Sequence, residues 1–233
     1  MYLFNESIIR SKYEEVEVVK NQLVQYLESI VRRSNVPFEG NCFYEDGSYN
    51  LKPQLQNKQL NLFWSGKQAS LRICEIGFNA GHSCMLFLLG KEQENLTEDN
   101  ITMVNITIFD IMNHSYTKPC FNFIKDKFEN NFKFELIEGD SIVTIPEWMN
   151  NNHNLIGQFD ICHLDGGHAH TCVDNDFKNA NLLLKVNGIL IVDDTNGDYI
   201  NNMAEQYISS GNYIEINVLK TDYYPHRILQ KVK

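Results

Sequence analysis

The chain is expected to adopt an α/β fold: a doubly wound, mainly parallel seven-stranded sheet with an antiparallel C-terminal hairpin and an N-terminal helical extension. Three observations predict it. From residue 71 onward, strand-like apolar runs alternate with helical patterns, which implies parallel strands joined by right-handed crossovers. The tail holds two further strand candidates with no helical pattern between them. Ahead of the first strand, apolar residues recur at three- and four-residue steps, the period of a helix packed on one face.

Taken in order, Ile8, Ile9, Tyr13, Val16, Val19, Leu23, Tyr26, Leu27 and Ile30 predict one helix from about Ser7 to Arg33. The pattern weakens from Ser34 to Ser70, where Pro37, Gly40, Gly47, Pro53 and Gly66 punctuate it, and a short helix is expected at "QLNLFWSGKQA". Parallel strands are expected at Arg72 to Gly77, Ile106 to Asp110, Lys133 to Glu138, Phe159 to Asp165 and Ile189 to Asp193. Helices are expected at about 81–90, 118–130 and 170–186, with "KEQENLTEDN" as a loop. "YIEINVLKT" and "HRILQKVK", separated by "DYYPH", supply the closing hairpin. Two parts follow: residues 1–70 as a helical cap that shapes an acceptor pocket, a contact between copies of the chain, or both, and residues 71–233 as the sheet domain.

Composition narrows the function classes. Hydrophobic content of 43% with 21% charged residues is that of a globular chain, so disorder is not expected away from the ends. No apolar run approaches the ~20 residues of a membrane helix, and "MYLFNESIIRSKYEEVE" lacks a basic segment followed by an apolar one. A cytoplasmic, soluble protein is therefore expected. The six cysteines, at 42, 74, 84, 120, 162 and 172, form no CxxC pair and read as free, mostly buried thiols. A net charge of −10 argues against a broad nucleic-acid-binding surface.

The first strand runs into a turn, Glu75-Ile76-Gly77-Phe78-Asn79-Ala80-Gly81-His82-Ser83. Gly77 and Gly81 allow a sharp bend and close approach of a ligand, while the helix that follows presents free N–H groups to an anion or polar tail. A dinucleotide fingerprint would need glycine where Asn79 and His82 stand, a Walker loop would need a terminal GK[ST], and a nucleophile elbow would need glycine at Met85. None of the three fits. Asp110 ends the second strand, Asp165 the fourth, and Asp193 with Asp194 the fifth. Parallel strands deliver their carboxyl ends to one rim, so these last three carboxylates should converge, at a repulsive cost that a divalent cation would relieve. Mg²⁺ is the expected ion, with Mn²⁺ and Ca²⁺ as chemical alternatives.

The pattern E-x-G-x-x-x-G in "CEIGFNAGHS" resembles the Rossmann-like class I S-adenosylmethionine-dependent methyltransferases. The resemblance implies that Gly77 and Gly81, with Phe78, Asn79 and His82 around them, wrap the methionine portion of S-adenosylmethionine. It places Ser83 near the cofactor's carboxylate and makes Glu75 a brace for the turn. It gives Asp110 the ribose hydroxyls and puts adenine contacts at Gly139, Asp140 and Ser141 in "IEGDS". Within the class, the acidic residues resemble those of metal-dependent O-methyltransferases of the catechol and caffeoyl-CoA type. With "LDGGH" as a D-x-x-H element, they resemble the macrolide-sugar O-methyltransferases more closely. That likeness, over roughly residues 60–195, implies metal ligation by Asp165, Asp193 and Asp194, with His168 as general base and Asp165 counted with it as catalytic.

The implied reaction is methyl transfer to a hydroxyl of a sugar, nucleotide-sugar or glycan. An in-line displacement needs that oxygen deprotonated and aimed, which a base and a cation can do. A catechol-like or tRNA-hydroxyl methyltransferase, and a scaffold that binds cofactor without catalysis, stay open as alternatives. His163 reads as a satisfied, partly buried histidine and His170 as the start of a helix. Tyr223, Tyr224 and His226 are candidates for the acceptor side.

Overall fold

The computed structural model describes residues 2–45, 47–95 and 103–233. Seven strands, β1 (Arg72–Ile76), β2 (Val104–Asp110), β3 (Phe132–Glu138), β4 (Phe159–Leu164), β5 (Leu184–Val192), β6 (Tyr213–Glu215) and β7 (Arg227–Lys231), form one sheet in the order β3-β2-β1-β4-β5-β7-β6. The first five are parallel, and β7 lies antiparallel between β5 and β6. Among the described residues the helices are α1 (Glu6–Glu15), α2 (Glu17–Ser34), α3 (Gln56–Lys67), α4 (His82–Asn95), α5 (Thr117–Phe128), α6 (Ser141–Asn151), α7 (His170–Leu183) and α8 (Asp198–Ser209). No helix among them is long and apolar enough to cross a membrane.

Several boundaries differ from expectation. The single N-terminal helix is two, broken at Val16. The halves serve different partners: Tyr13 of α1 meets Phe63 of α3 edge-on, while Tyr26 of α2 stacks on Phe123 of α5. α7 ends at Leu183 and β5 begins at once, five residues before the expected strand. The "KEQENLTEDN" stretch begins as the last turns of α4, and its remainder lies outside the described residues. α6 and α8 are additional helices. α6 carries Pro146 in its interior, a residue that argues against a helix, but Asp140 caps it through a side-chain bond to the Ile142 amide. The six cysteines are free, with all but Cys172 buried.

Side chains alternate across the sheet, so each strand divides its residues between two packed layers. Cys74, Ile76, Cys162, Leu164, Leu190 and Val192 face α6, α7 and α8 in one apolar cluster. Ile73, Ile161, Ile189 and Ile191 face the other, which also takes in α2, α3, α4 and α5. By the same alternation Glu75, pairing across strands with His163, shares the second face. There α3 and α4 touch backbone to backbone: a Cβ on Gly66 would stand 2.2 Å from the Phe87 carbonyl oxygen, and one on Gly90 2.0 Å from that of Phe63. α3, which precedes the first strand, is thereby part of the layer that covers the functional rim.

Candidate active site

At the carboxyl ends of β1, β4 and β5 lies a cavity of about 380 Å³, lined by residues 78–83 together with Asp165, Gly166, His168, Asp193 and Asp194. Residues 39–42, Lys58 and Leu62, all ahead of the sheet, close it. The glycine turn and the acidic residues thus share one space.

The turn is shaped by hydrogen bonds that the sequence specifies. Gly77 sits at φ +86°, and a Cβ there would meet the Asp165 carbonyl oxygen at 1.9 Å, so both dihedral and contact demand glycine. Asn79 adopts φ 52°, and the side-chain carboxylate of Asp110 accepts from the amides of Phe78 (2.7 Å), Asn79 (3.0 Å) and Met112 (2.6 Å). Gly81, at φ +78°, makes room for the Phe78 ring. Ser83 at the start of α4 donates to Glu75 Oε1 at 2.5 Å, and His163 Nδ1 lies 3.2 Å from the same oxygen. Glu75 Oε2, Asn79 Oδ1 and His82 Nε2 are buried polar atoms without a partner. His82 packs among the rings of Phe38, Phe43 and Tyr44, and burial pushes its pKa down to about 4, which keeps it neutral.

The acidic side is a connected network. Asp165, partly covered, sits in the turn after β4; loss of surrounding water and the neighbouring Asp193 push its pKa well above the carboxylate range. Asp193 is 3% exposed; burial opposes its ionisation, but Lys58 and His163 outweigh that and hold it below the usual range. Lys58 Nζ is 2.7 Å from Asp193 Oδ2 and also donates to Asn41 Oδ1. Burial opposes the Lys58 charge too, and Asp193 and then Asp165 more than restore it. His163 Nε2 lies 3.9 Å from Asp193 Oδ2, beyond hydrogen-bond reach but within ion-pair distance. Burial alone would lower the His163 pKa, yet the Asp193 and Glu75 carboxylates lift it to about 10. Asp194, at φ 53°, accepts from Asn41 Nδ2 at 3.1 Å through Oδ1 and meets His168 Nε2 at 2.9 Å through Oδ2. That bond raises the His168 pKa against the partial burial of the ring.

Of the residues singled out from sequence, Phe78, Asn79, Gly81, His82, Ser83, Asp165, His168, Asp193 and Asp194 line the cavity; Glu75 and Gly77 stand behind the turn. Asp110 is 8% exposed, with its carboxylate held by backbone amides. Gly139, Asp140 and Ser141 lie at the β3–α6 junction, outside the lining residues, and Asp140 caps α6. His163, expected to be partly buried and satisfied, is fully buried and paired with Glu75 through Nδ1, while its Nε2 has no hydrogen-bond partner. His170 opens α7 and stacks on Tyr199 at 3.7 Å. His226 is buried behind the site, its Nε2 2.9 Å from Asn61 Nδ2, and burial pushes its pKa down to about 3; Tyr223 and Tyr224 do not line the cavity.

Lys58 and Asn41 were not among the expected residues. A faint signal for Lys58 exists: the helix carrying it is buried on every side from Lys58 to Gly66, so a lysine placed there must find a buried partner. Asn41 lies in irregular chain and gives no such signal. Among the described residues, the nitrogens and oxygens that approach closely enough to hold an ion, within 4.8 Å of one another, belong to His163, Asp165 and Asp193. Asp194 is outside that trio, and the Lys58 ammonium contacts it at Asp193.

A mainly parallel sheet in this strand order, with a glycine turn after β1 and carboxylates at the ends of β2, β4 and β5, defines a class I methyltransferase. The chain belongs to the methyltransferase-domain family, whose family model matches residues 74–195. No curated protein matches the sequence. Among solved structures, the fold is similar to CalS11, a TDP-rhamnose 3'-O-methyltransferase of calicheamicin biosynthesis, at 16% identity and TM-score 0.59, covering 90% of this chain and 93% of that one. It is similar to the O-methyltransferase TomG from Streptomyces achromogenes, involved in tomaymycin synthesis and solved with S-adenosylmethionine, at 14% identity and TM-score 0.60, covering 91% and 90%. It also resembles MycE, a methyltransferase of the mycinamycin pathway solved with Mg and SAH, at 16% identity and TM-score 0.52, covering 89% of this chain and 55% of that one. At these identities the likeness is one of fold.

Proposed function

We propose that the protein is an S-adenosylmethionine-dependent O-methyltransferase acting on a hydroxyl of a sugar or sugar-bearing small molecule. The observation that carries the reading is the shared cavity, lined both by the glycine turn and by the His168–Asp194 pair. The turn suits the cofactor. Residues 78–83 would hold its methionine end, with the α4 N-terminus favouring the carboxylate and the unpartnered Asn79 Oδ1 offering an acceptor to the ammonium. When bound, S-adenosylmethionine supplies an electrophilic methyl on a sulfonium.

His168, which lines the cavity, would take the proton of the acceptor hydroxyl as its oxygen attacks that methyl group. Asp194, accepting from Nε2–H, fixes the tautomer in which Nδ1 carries the basic lone pair. The similar fold of CalS11, a TDP-rhamnose 3'-O-methyltransferase, supports a sugar acceptor.

The resemblance also implied a divalent ion on Asp165, Asp193 and Asp194. The side chains as placed do not suit it, because the carboxylate oxygens of Asp193 and Asp194 already have protein partners.

The test is incubation of the protein with methyl-labelled cofactor and a panel of nucleotide-sugars and glycosides. His168→Ala should retain cofactor affinity and lose roughly 10²-fold or more in turnover, the usual scale of a general base. Turnover at the wild-type rate in that variant would remove His168 from the reaction.

A further inference from the structure

Nothing in α3 favours a lysine at its third residue. A positive charge in the first turn opposes the helix dipole, and a buried ammonium without partners is costly. Lys58 is nonetheless 1% exposed, and its partners come from elsewhere: Asp193 after β5, 135 positions further along the chain, and Asn41 from the irregular segment before α3. Asn41 passes the link on to Asp194. The four oxygens of the acidic pair are all engaged: Asp193 Oδ1 by the Asp194 amide at 2.9 Å, Asp193 Oδ2 by Lys58, Asp194 Oδ1 by Asn41 and Asp194 Oδ2 by His168. The repulsion that a divalent ion would relieve is relieved by the chain itself. A hard divalent ion wants about six oxygen ligands, and here it would have to displace these partners beside a fixed positive charge.

We propose that Lys58 is the resident cation of this site: a lysine delivered by α3 takes the place and the charge that a divalent ion would have on the acidic rim, so the protein works without one. Its ammonium has three donors, of which Asp193 and Asn41 take one each. Lys58 also lines the cavity, so it is a positive charge at the wall where an acceptor oxygen would become an alkoxide. The part of this inference that concerns turnover rests on the O-methyltransferase reading; the part that concerns metal does not.

The experiment is a titration of metal-stripped protein with Mn²⁺, read as loss of the free-ion signal in electron paramagnetic resonance. Wild type and Lys58→Arg should leave the signal undiminished. Lys58→Met, which keeps the side chain's length and removes its charge, should gain one saturable site. Binding of one Mn²⁺ by wild type would overturn the proposal, and so would a folded Lys58→Met that gains none. If Lys58→Met does not fold, the wild-type titration decides alone. In the same preparations, turnover by wild type should be unchanged by EDTA and fall roughly tenfold or more in Lys58→Met; abolition by EDTA with rescue by Mg²⁺ would overturn the proposal. Absence of turnover with every acceptor would count against the O-methyltransferase reading, and the Mn²⁺ titration would still decide on Lys58.

Discussion

His82 shows how one residue's surroundings set its chemistry. Glycine would stand there in a dinucleotide turn; instead an imidazole is enclosed by Phe38, Phe43 and Tyr44 with Nε2 unpartnered. Its pKa is about 4 folded against 6.5 unfolded. Between those values the unfolded chain binds more protons, so the His82 contribution is fully present above about pH 6.5 and is lost as pH falls toward about 4. At about pH 5 the loss amounts to about 2 kcal/mol by linkage. His82→Phe, which suits the ring cage, should shrink the drop in unfolding free energy between about pH 7.5 and about pH 5 by about that amount, measured by urea denaturation. An equally steep acid-side loss in the variant would show that His82 is not the buried neutral group described.

At the scale of elements, the contact between α3 and α4 decides where Lys58 can be. Helix propensity alone would have Gly66→Ala stabilise α3 by about 1 kcal/mol. The new methyl would instead stand 2.2 Å from the Phe87 carbonyl oxygen, and backbone cannot yield as a side-chain tip can. Overpacking costs about 1–3 kcal/mol, and with backbone as the obstacle the upper end applies, so the net loss is about 2 kcal/mol, read as a lower urea midpoint. An unchanged or raised midpoint would mean the helices are farther apart than described. This contact also marks the boundary of what the sequence discloses. The alternation of strands and helices, the turn Glu75 to Ser83 and the strand-end aspartates are local patterns, legible one segment at a time. The spacing of Tyr199, Ile200, Met203, Ala204, Tyr207 and Ile208 carries α8 in the same way, whereas Pro146 masks α6. The break at Val16, the pairing of Lys58 with Asp193 and the backbone contact at Gly66 depend on segments far apart in the chain. No local pattern states them.

For the whole molecule, the question is whether residues 1–70 fold as an appendage or with the sheet. One apolar cluster runs from Ile9 and Leu27 through Phe63 and Trp64 to Ile73, Ile161 and Ile191, so the N-terminal helices and one sheet face share a core. The other sheet face has its own cluster, which contains Trp148. The chain's two tryptophans therefore report on opposite sides of the sheet: Trp64, with the rings of Tyr2 and Phe4 edge-on, from the N-terminal layer, and Trp148, between Phe109 and Phe159, from the far one. A core that crosses the 1–70 boundary, pinned by backbone contact between α3 and α4, predicts one cooperative transition. In Trp148→Phe, where only Trp64 remains, and in Trp64→Phe, where only Trp148 remains, the urea midpoint by fluorescence should coincide with the midpoint by far-ultraviolet circular dichroism. An appendage would release Trp64 at lower urea than the sheet loses its ellipticity. Lys58 would then leave the acidic rim before the sheet unfolds, and the site would lose its cation while the glycine turn was still intact.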